Sequence, residues 1–171
     1  NVFVERALDT VREDGIVALV VPNRIFSTSS AASLRQDIAR RATLEQVIDF
    51  GTEQVFPATT YVCVVFLRLK TSSTNTGGAR VLVVRVDQLV EPRGLQLREA
   101  VSAEVEPPGV RRFYVRFPAT GGPVLLVSGN ASGLLSRLRK RSLPFSDVAE
   151  SKQGIRTGDQ NLFLVVEVGA S

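Results

Sequence analysis

The sequence predicts an α/β fold whose sheet ends in an antiparallel hairpin, and two observations carry this prediction. The first half alternates segments of helical apolar spacing with continuous apolar runs, which is typical of an α/β sheet. Its last two apolar runs lie about ten residues apart, which leaves no room for a crossover helix, so they pair antiparallel. With 44% hydrophobic and 22% charged residues, the composition is that of a globular protein and excludes disorder throughout.

The predicted order begins with an amphipathic helix over residues 2–13, which an Asp-Gly pair terminates. The apolar face of this helix is expected to consist of Phe3, Ala7, Leu8 and Val11. The run IVALVVP, residues 16–22, is continuously apolar and predicts a strand that is buried on both faces. A helix followed by such a strand indicates a parallel sheet.

A second helix and the hairpin complete the predicted sheet. The segment SSAASLRQDIARRA, residues 29–42, spaces its apolar residues for an amphipathic helix, with Ser29 or Ser30 as N-cap. The strand-like segments 44–50 and 60–69 follow and form the hairpin. The predicted order is therefore helix, strand, helix, strand, strand.

The second half of the chain has weaker periodicity and more Pro and Gly, so we expect irregular α+β structure there. Its predicted strands are 80–86, 110–117 and 162–168, and its predicted short helices are 91–101 and 131–141. A polar, glycine-rich stretch at 71–78 is the expected boundary. The predicted organisation is a first domain over 1–70, a variable connecting segment over 71–141 and a further region over 142–171.

Charge and composition narrow the classes of function. A net charge of +4 and a pI near 9.8 fit a nucleic acid or another anionic partner. No apolar run approaches the length of a membrane span, and the N-terminus lacks the order of a signal peptide, so we expect a cytoplasmic protein with no membrane partner. The chain has no His and only Cys63, which excludes the usual Cys/His zinc sites and His-based triads. No metal site is expected.

Two short segments are candidate ligand sites. Pro22, Asn23 and Arg24 follow the first strand, and open α/β sheets bind ligands beyond the carboxyl ends of their strands. A simple turn between strand and loop is the alternative. Phe56, held by Pro57 between the hairpin strands, has an aromatic ring that can stack on a planar ligand. A plug that covers the end of the sheet is the alternative.

Two basic segments are candidate phosphate sites. In the stretch Gly154–Gly158, two glycines let backbone amides approach a phosphate, while Arg156, Thr157 and the preceding Lys152 add charge and a hydroxyl. A plain turn is the alternative. The other segment lies on a predicted helix and either binds DNA phosphates or faces solvent; it comprises Arg137, Arg139, Lys140 and Arg141.

Taken in order, several of these segments resemble a known family. The resemblance runs through FVERALDTVREDGIVALVVPNRIF, SSAASLRQDIARR and VIDFGTEQVFPATTYVCVVFLRLK. These segments resemble the second half of the catalytic domain of adenine-specific DNA methyltransferases of the gamma motif order. That group includes the type I modification subunits and the single-chain restriction–modification enzymes. The tail LPFSDVAESKQGIRTGDQNLFLV resembles the segment that opens their target-recognition region.

The resemblance implies a partial, Rossmann-like sheet that binds S-adenosylmethionine and ends in an antiparallel hairpin. It implies that Phe3 lies against the adenine of the cofactor. It implies that Phe56 stacks on the target adenine once this base is flipped out of the duplex. Pro22, Asn23 and Pro57 are then expected to line the same pocket. The residues expected to bind DNA are Arg139, Lys140, Arg141, Lys152, Arg156 and Thr157.

The function implied is methyl transfer from S-adenosylmethionine to the exocyclic amino group of adenine at a specific DNA site, in restriction–modification or phage defence. In the family, an Asn-Pro-Pro-Tyr motif orients the amino nitrogen, so catalysis depends on positioning and electrostatics without a histidine. The sequence contains neither this motif nor the glycine-rich cofactor motif. We expect both to precede Asn1, which would make the chain an inactive fragment with no catalytic residue of its own.

The expected partners are double-stranded DNA and either the remainder of a parent chain or a specificity subunit. A half-sheet would expose an unpaired strand edge and apolar faces, so we expect the chain to self-associate or to be covered by a partner. The alternative is a non-catalytic DNA-binding or assembly module derived from the same half-fold.

Overall fold

The computed structural model describes residues 2–57, 60–71, 78–102, 106–143 and 145–150. The strands are β1 (Ile16–Pro22), β2 (Ala42–Asp49), β3 (Val62–Leu69), β4 (Arg80–Val86) and β5 (Val110–Arg116). The helices are α1 (Val2–Thr10), α2 (Ala32–Arg41), α3 (Arg93–Ser102) and α4 (Gly129–Arg141), with 3₁₀ turns at Asn23–Phe26, Ser29–Ala31 and Phe145–Asp147. Two compact units divide the chain, Asn1–Leu134 and Leu135–Ser171.

The first unit is a mixed α/β structure around a five-stranded sheet with the order β1-β3-β2-β4-β5. β3 is antiparallel to both of its neighbours, β1 and β2. β2 and β4 are parallel, and β5 returns antiparallel to β4. The α/β class and the antiparallel hairpin of β2 and β3 are confirmed. The first helix and strand indicated a parallel sheet, but the sheet is mixed: β2 and β4 are parallel, whereas β1 pairs antiparallel with β3.

One side of the sheet, which we call the helix face, packs against α1 and α2. Val4 and Leu8 of α1 and Leu34 and Ile38 of α2 are buried in one cluster with alternate residues of the strands. From β3 these residues are Cys63, Val65 and Leu67. The spacing of four residues in each helix places one apolar stripe on the sheet, which explains why these segments are helical and where they dock.

The opposite side, which we call the open face, has a second, smaller cluster. Val84 and Val86 of β4, Val110 of β5 and Ala100 of α3 are buried together there. Phe66 of β3, on the same face, is only partly buried. α3 therefore covers the end of the open face where Val86 pairs with Val110.

β1 differs from its prediction as a strand buried on both faces. Val21 is buried on the helix face, but Ile16 and Val20 are 51% and 54% exposed on the open face. β1 is an edge strand among the described strands, with β3 as its neighbour. A continuous apolar run thus occurs here on a strand with one solvated face.

Two predictions about the helices, the apolar face of α1 and the N-cap of α2, are also wrong in detail. Phe3 was expected on the apolar face of α1 but is 86% exposed, because Val4 and Leu8 form the stripe that meets the sheet. Ser29 and Ser30 were expected to cap α2 but lie in a preceding 3₁₀ turn. The N-cap is Ala31, which makes no side-chain capping hydrogen bond.

The sheet combines strands from both sides of the predicted boundary at 71–78. β4 comes from the predicted connecting segment, and its residues Leu82 to Arg85 pair with Gln46 to Asp49 of β2. Of the helices in the described ranges, none has the length and apolar character needed to cross a membrane.

Candidate functional site

The carboxyl ends of three strands share one edge of the sheet. β1 and β2 are both antiparallel to β3, and β4 is parallel to β2, so β1, β2 and β4 run in one direction. At this edge Pro22 pairs with Val62, and the backbone N–H of Asn23 donates to the carbonyl oxygen of Tyr61 at 3.1 Å. The polar trio that follows β1 therefore lies where open α/β sheets bind their ligands.

The loop that carries Phe56 is anchored on the open face at the same corner. Phe50 is buried in the open-face cluster, and Val55 and Val62 pack against that cluster. Because Val62 pairs with Pro22, the loop and the end of β1 adjoin one another. The ring of Phe56 is 48% exposed, which leaves it accessible to a ligand, and Pro57 is exposed beside it.

A buried ion pair fixes the start of this loop. Asp49, which is 2% exposed, accepts a hydrogen bond from the N–H of Gly51 at 3.0 Å and pairs with Nη2 of Arg85 at 3.1 Å. Arg85 also donates to the carbonyl oxygen of Leu126 at 2.9 Å. Gly51 has a φ of +56°, and an added Cβ would lie 2.8 Å from Nη1 of Arg85. The turn therefore requires glycine, and the loop leaves β2 in a defined direction.

The segment after β1 is held by Arg35 of α2, a buried arginine. Its Nη1 donates to the carbonyl oxygens of Ile25 and Thr28 at 2.7 and 2.8 Å. Its Nε donates to those of Gly121 and Gly122 at 2.9 and 3.0 Å. Four carbonyl acceptors satisfy the charged group without a carboxylate, so the wall of the corner formed by this segment is rigid.

Two features of the corner were missed by sequence reasoning. Tyr61 is about half-exposed beside Asn23, although it was interpreted only as part of a strand. Asp49 was not among the predicted site residues, but Arg85 pairs with it from β4. The apolar alternation of β4, broken at Arg85, was the available signal for an inward-pointing charge.

No described contact joins Phe3 to this corner. α1, which carries Phe3, packs on the helix face, whereas the loop of Phe56 packs on the open face. Arg139, Lys140 and Arg141 are exposed in the last turn of α4, in the second unit. Lys152, Arg156 and Thr157 lie outside the described residues.

The described ranges contain no site suited to metal binding or to thiol chemistry. No group of three or more His, Cys, Asp or Glu side chains there could hold a metal ion. Burial, and then the charge of Asp49, raise the pKa of the Cys63 thiol to about 12. Since the thiolate is the reactive form, Cys63 is a packing residue on the helix face.

Comparison with known proteins finds a restriction enzyme and methyltransferase that is similar to part of this chain. Over 66 residues the chain is 33% identical to the type II restriction enzyme and methyltransferase RM.Eco57I of Escherichia coli. This match covers 38% of the chain but only 7% of that protein.

Two solved structures are similar at lower identity. A putative class I S-adenosylmethionine-dependent methyltransferase from Listeria monocytogenes matches at 20% identity and a TM-score of 0.47, over 58% of this chain and 31% of that one. The type IIG restriction endonuclease BpuSI matches at 18% identity and a TM-score of 0.48, over 67% of this chain and 14% of that one. Residues 1–56, up to and including Phe56, match the model of the Eco57I restriction-modification methylase family.

Proposed function

We propose that this chain is part of a restriction–modification DNA methyltransferase that methylates the exocyclic amino group of adenine. The match of residues 1–56 to the Eco57I restriction-modification methylase family carries the proposal. The matched residues include Pro22, Asn23 and Phe56, which belong to one corner at the carboxyl edge of the sheet. The activity is proposed for the whole protein that contains this chain.

In this proposal the corner is the wall of the active site that binds the target base. Phe56 stacks on the flipped adenine, and its half-exposed ring supports this role. Pro22, Asn23 and Pro57 line the pocket. The backbone N–H of Asn23 is already bonded to Tyr61, so the side-chain amide is the group of Asn23 that is left to contact a base.

S-adenosylmethionine is the proposed methyl donor, with Phe3 against its adenine. The cofactor supplies a methyl group on a positively charged sulfur. No glycine-rich turn follows β1, β2 or β4 to bind the amino-acid part of the cofactor. In this proposal the chain contributes the wall that positions the base.

DNA is the proposed partner of the basic residues, namely Arg139, Lys140, Arg141, Lys152, Arg156 and Thr157. The exposure of the first three at the end of α4 supports contact with phosphates. We propose that residues 1–70 belong to the methyltransferase part and residues 142–171 to target recognition, joined by 71–141. The remainder of a parent chain or a specificity subunit is the proposed protein partner.

Phe56→Ala and Phe3→Ala, made in the protein that contains this chain, test the proposal together. Methyl transfer from labelled S-adenosylmethionine to genomic DNA is measured, and the product is digested to nucleosides to identify the methylated base. Phe56→Ala is expected to reduce transfer and the affinity for DNA while cofactor affinity stays unchanged. Phe3→Ala is expected to weaken cofactor binding. Label recovered in cytosine, or no label in DNA, would contradict the proposal.

A non-catalytic DNA-binding or assembly module is the second candidate. It is favoured by the exposed basic residues at the end of α4, which could contact DNA without any methyl transfer. Sequence-specific DNA binding without methylation by the whole protein would support it. For the 171-residue chain alone, both candidates lead us to expect no methyl transfer.

A further inference from the structure

We propose that the outer part of the open face, formed by β4 and β5, binds the phosphate backbone of double-stranded DNA. Its residues are Arg80, Arg112, Arg116 and Tyr114, and we call them the strand patch. The inference rests on the proposed function and deepens it, because it adds a DNA contact on the first unit. The residues predicted from the sequence to bind DNA belong to the second unit.

Strand alternation places the whole strand patch on one face. In β5, Val110 packs in the open-face cluster, whereas Val115 packs on the helix face. Successive side chains of a strand point to opposite faces, so every second residue from Val110 points to the open face. These residues are Arg112, Tyr114 and Arg116. Arg80 is the register partner of Arg116, which places it on the same face.

The arginines of the strand patch lack the ion pairs that other arginines of the sheet form. Arg68, Arg85 and Arg111 each form an ion pair with a carboxylate. In the part of the chain that the structure describes, Arg80, Arg112 and Arg116 form none. Glu106 is close, but its Oε1 accepts the backbone N–H of Arg112 at 2.7 Å. The patch thus has three arginines that form no ion pair with a described carboxylate, which favours an anionic partner.

Tyr114, the aromatic member of the patch, restrains the guanidinium group of Arg80. The guanidinium carbon of Arg80 lies 4.0 Å from the ring centroid of Tyr114, a cation–π contact. Tyr114 is 52% exposed, and its hydroxyl can donate a hydrogen bond to a phosphate. An arginine restrained in this way loses less conformational entropy when it binds.

The spacing of the arginines in the strand patch fits the regular spacing of phosphates along one strand of DNA. Arg112 and Arg116 are four residues apart on one strand, which corresponds to about 13 Å between their Cα atoms. One strand of DNA presents a phosphate about every 3.4 Å along its axis, so the row extends over about four phosphates. A row of charges along a strand matches a continuous phosphate backbone, and its contacts would not depend on base sequence.

The test uses the 171-residue chain and a fluorescently labelled DNA duplex, with binding followed by anisotropy at several salt concentrations. The variant is Arg80→Gln, Arg112→Gln and Arg116→Gln combined. Loss of three phosphate contacts is expected to weaken binding and to make the slope of log K against log salt shallower by about 2.7. The matched control removes three exposed arginines elsewhere in the first unit, Arg6→Gln, Arg12→Gln and Arg98→Gln, and is expected to keep most of the slope.

Three outcomes would overturn the inference. In the first, the patch variant binds the duplex with the affinity and salt slope of the wild-type chain, or loses no more affinity than the control variant does. In the second, the wild-type chain fails to bind the duplex. In the third, polyglutamate competes with the duplex as well as unlabelled DNA does. Failure of the proposed function is distinguishable, because DNA binding would still depend on the patch while the whole protein methylates no adenine.

Discussion

Nε of Arg35 donates a hydrogen bond to the carbonyl oxygen of Gly121 at 2.9 Å, across 86 positions of the chain. The same guanidinium binds the carbonyls of Ile25 and Thr28 behind the end of β1. One buried side chain therefore joins α2, the segment after β1 and the segment after β5. Its contribution to stability and to the shape of the corner is open to a direct test.

Arg35→Ala is expected to lower the free energy of unfolding by roughly 3 kcal/mol, because buried carbonyls lose a charged donor. Arg35→Lys is expected to be intermediate, since one ammonium cannot reproduce the planar fork. Urea denaturation followed by circular dichroism measures both. Arg40→Ala, on the exposed side of the same helix, is the control and should change little. Equal effects of the two alanine substitutions would contradict the assigned role.

Phe50 and Phe56 form a matched pair in one loop. Phe50→Ala is expected to cost roughly 3–5 kcal/mol of stability, because it opens a cavity in the open-face cluster. Phe56→Ala is expected to cost about 1 kcal/mol or less, because half of its ring is already exposed. Thermal denaturation compares them. A loss at Phe56 as large as at Phe50 would identify its ring as a plug over the end of the sheet.

Cys63 is expected to resist alkylation while the chain is folded. Its thiol is buried on the helix face, and burial raises its pKa from 9.0 to about 12, so almost no thiolate forms at pH 8. Iodoacetamide labelling, followed by mass spectrometry with and without urea, measures this resistance. Rapid labelling of the native chain at pH 8 would mean that the helix face opens readily.

The Asp87–Arg111 pair predicts a response to acid. The hydrogen bond from Arg111 holds the pKa of Asp87 below its usual value of 3.8. A lowered folded-state pKa contributes stability that is present above about pH 3.8 and is lost as the pH falls through the folded-state value. Because both side chains are partly exposed, the contribution is small.

With Asp87→Asn, the melting temperature is therefore expected to fall less steeply below pH 3.8. At neutral pH the melting temperature is expected to be slightly lower than that of the wild-type chain. Scanning calorimetry across pH 2–6 would record both changes. Glu13→Gln removes a carboxylate that has no ion pair in the described ranges and serves as the control. An acid response of Asp87→Asn that is as steep as that of the wild-type chain would show that the ion pair contributes nothing.

Val20→Lys is expected to reduce self-association of the chain. Val20 is exposed on β1, the edge strand of the described sheet, and a lysine there adds charge to both the edge and the apolar open face. Sedimentation velocity over a range of concentrations is the measurement. Thr52→Lys, an exposed change in a loop, controls for net charge. A wild-type chain that stays monomeric at every concentration would contradict this expectation.

Short-range features of the fold were predictable from the sequence. The short connection between β2 and β3 requires an antiparallel hairpin, and the four-residue spacing of Leu34 and Ile38 identifies the buried side of α2. Both follow from geometry within a few neighbouring residues. The position of β1 does not, because a continuous apolar run is compatible with a central strand or with an edge strand whose outer face is exposed.

The polar architecture of the corner was not predictable, because its partners are distant in sequence. Arg35 binds carbonyl groups, which leave no signature in residue type. Asp49 pairs with Arg85 only because β2 and β4 are neighbours, and parallel pairing does not follow from local periodicity. The positions of Pro22 and Asn23 at a strand end were predictable, since a strand and its boundary are visible in the sequence.

The parallel ladder between β2 and β4 has a consequence for how the chain can be divided. β3 pairs with one side of β2, and β4 pairs with the other. β2 is therefore hydrogen-bonded to a strand from each side of the connection between β3 and β4. A break in the covalent chain between β3 and β4 would leave that ladder and the shared helix-face cluster intact. Residues 1–70 and 78–134, produced as two polypeptides, would complement each other by rebuilding one sheet.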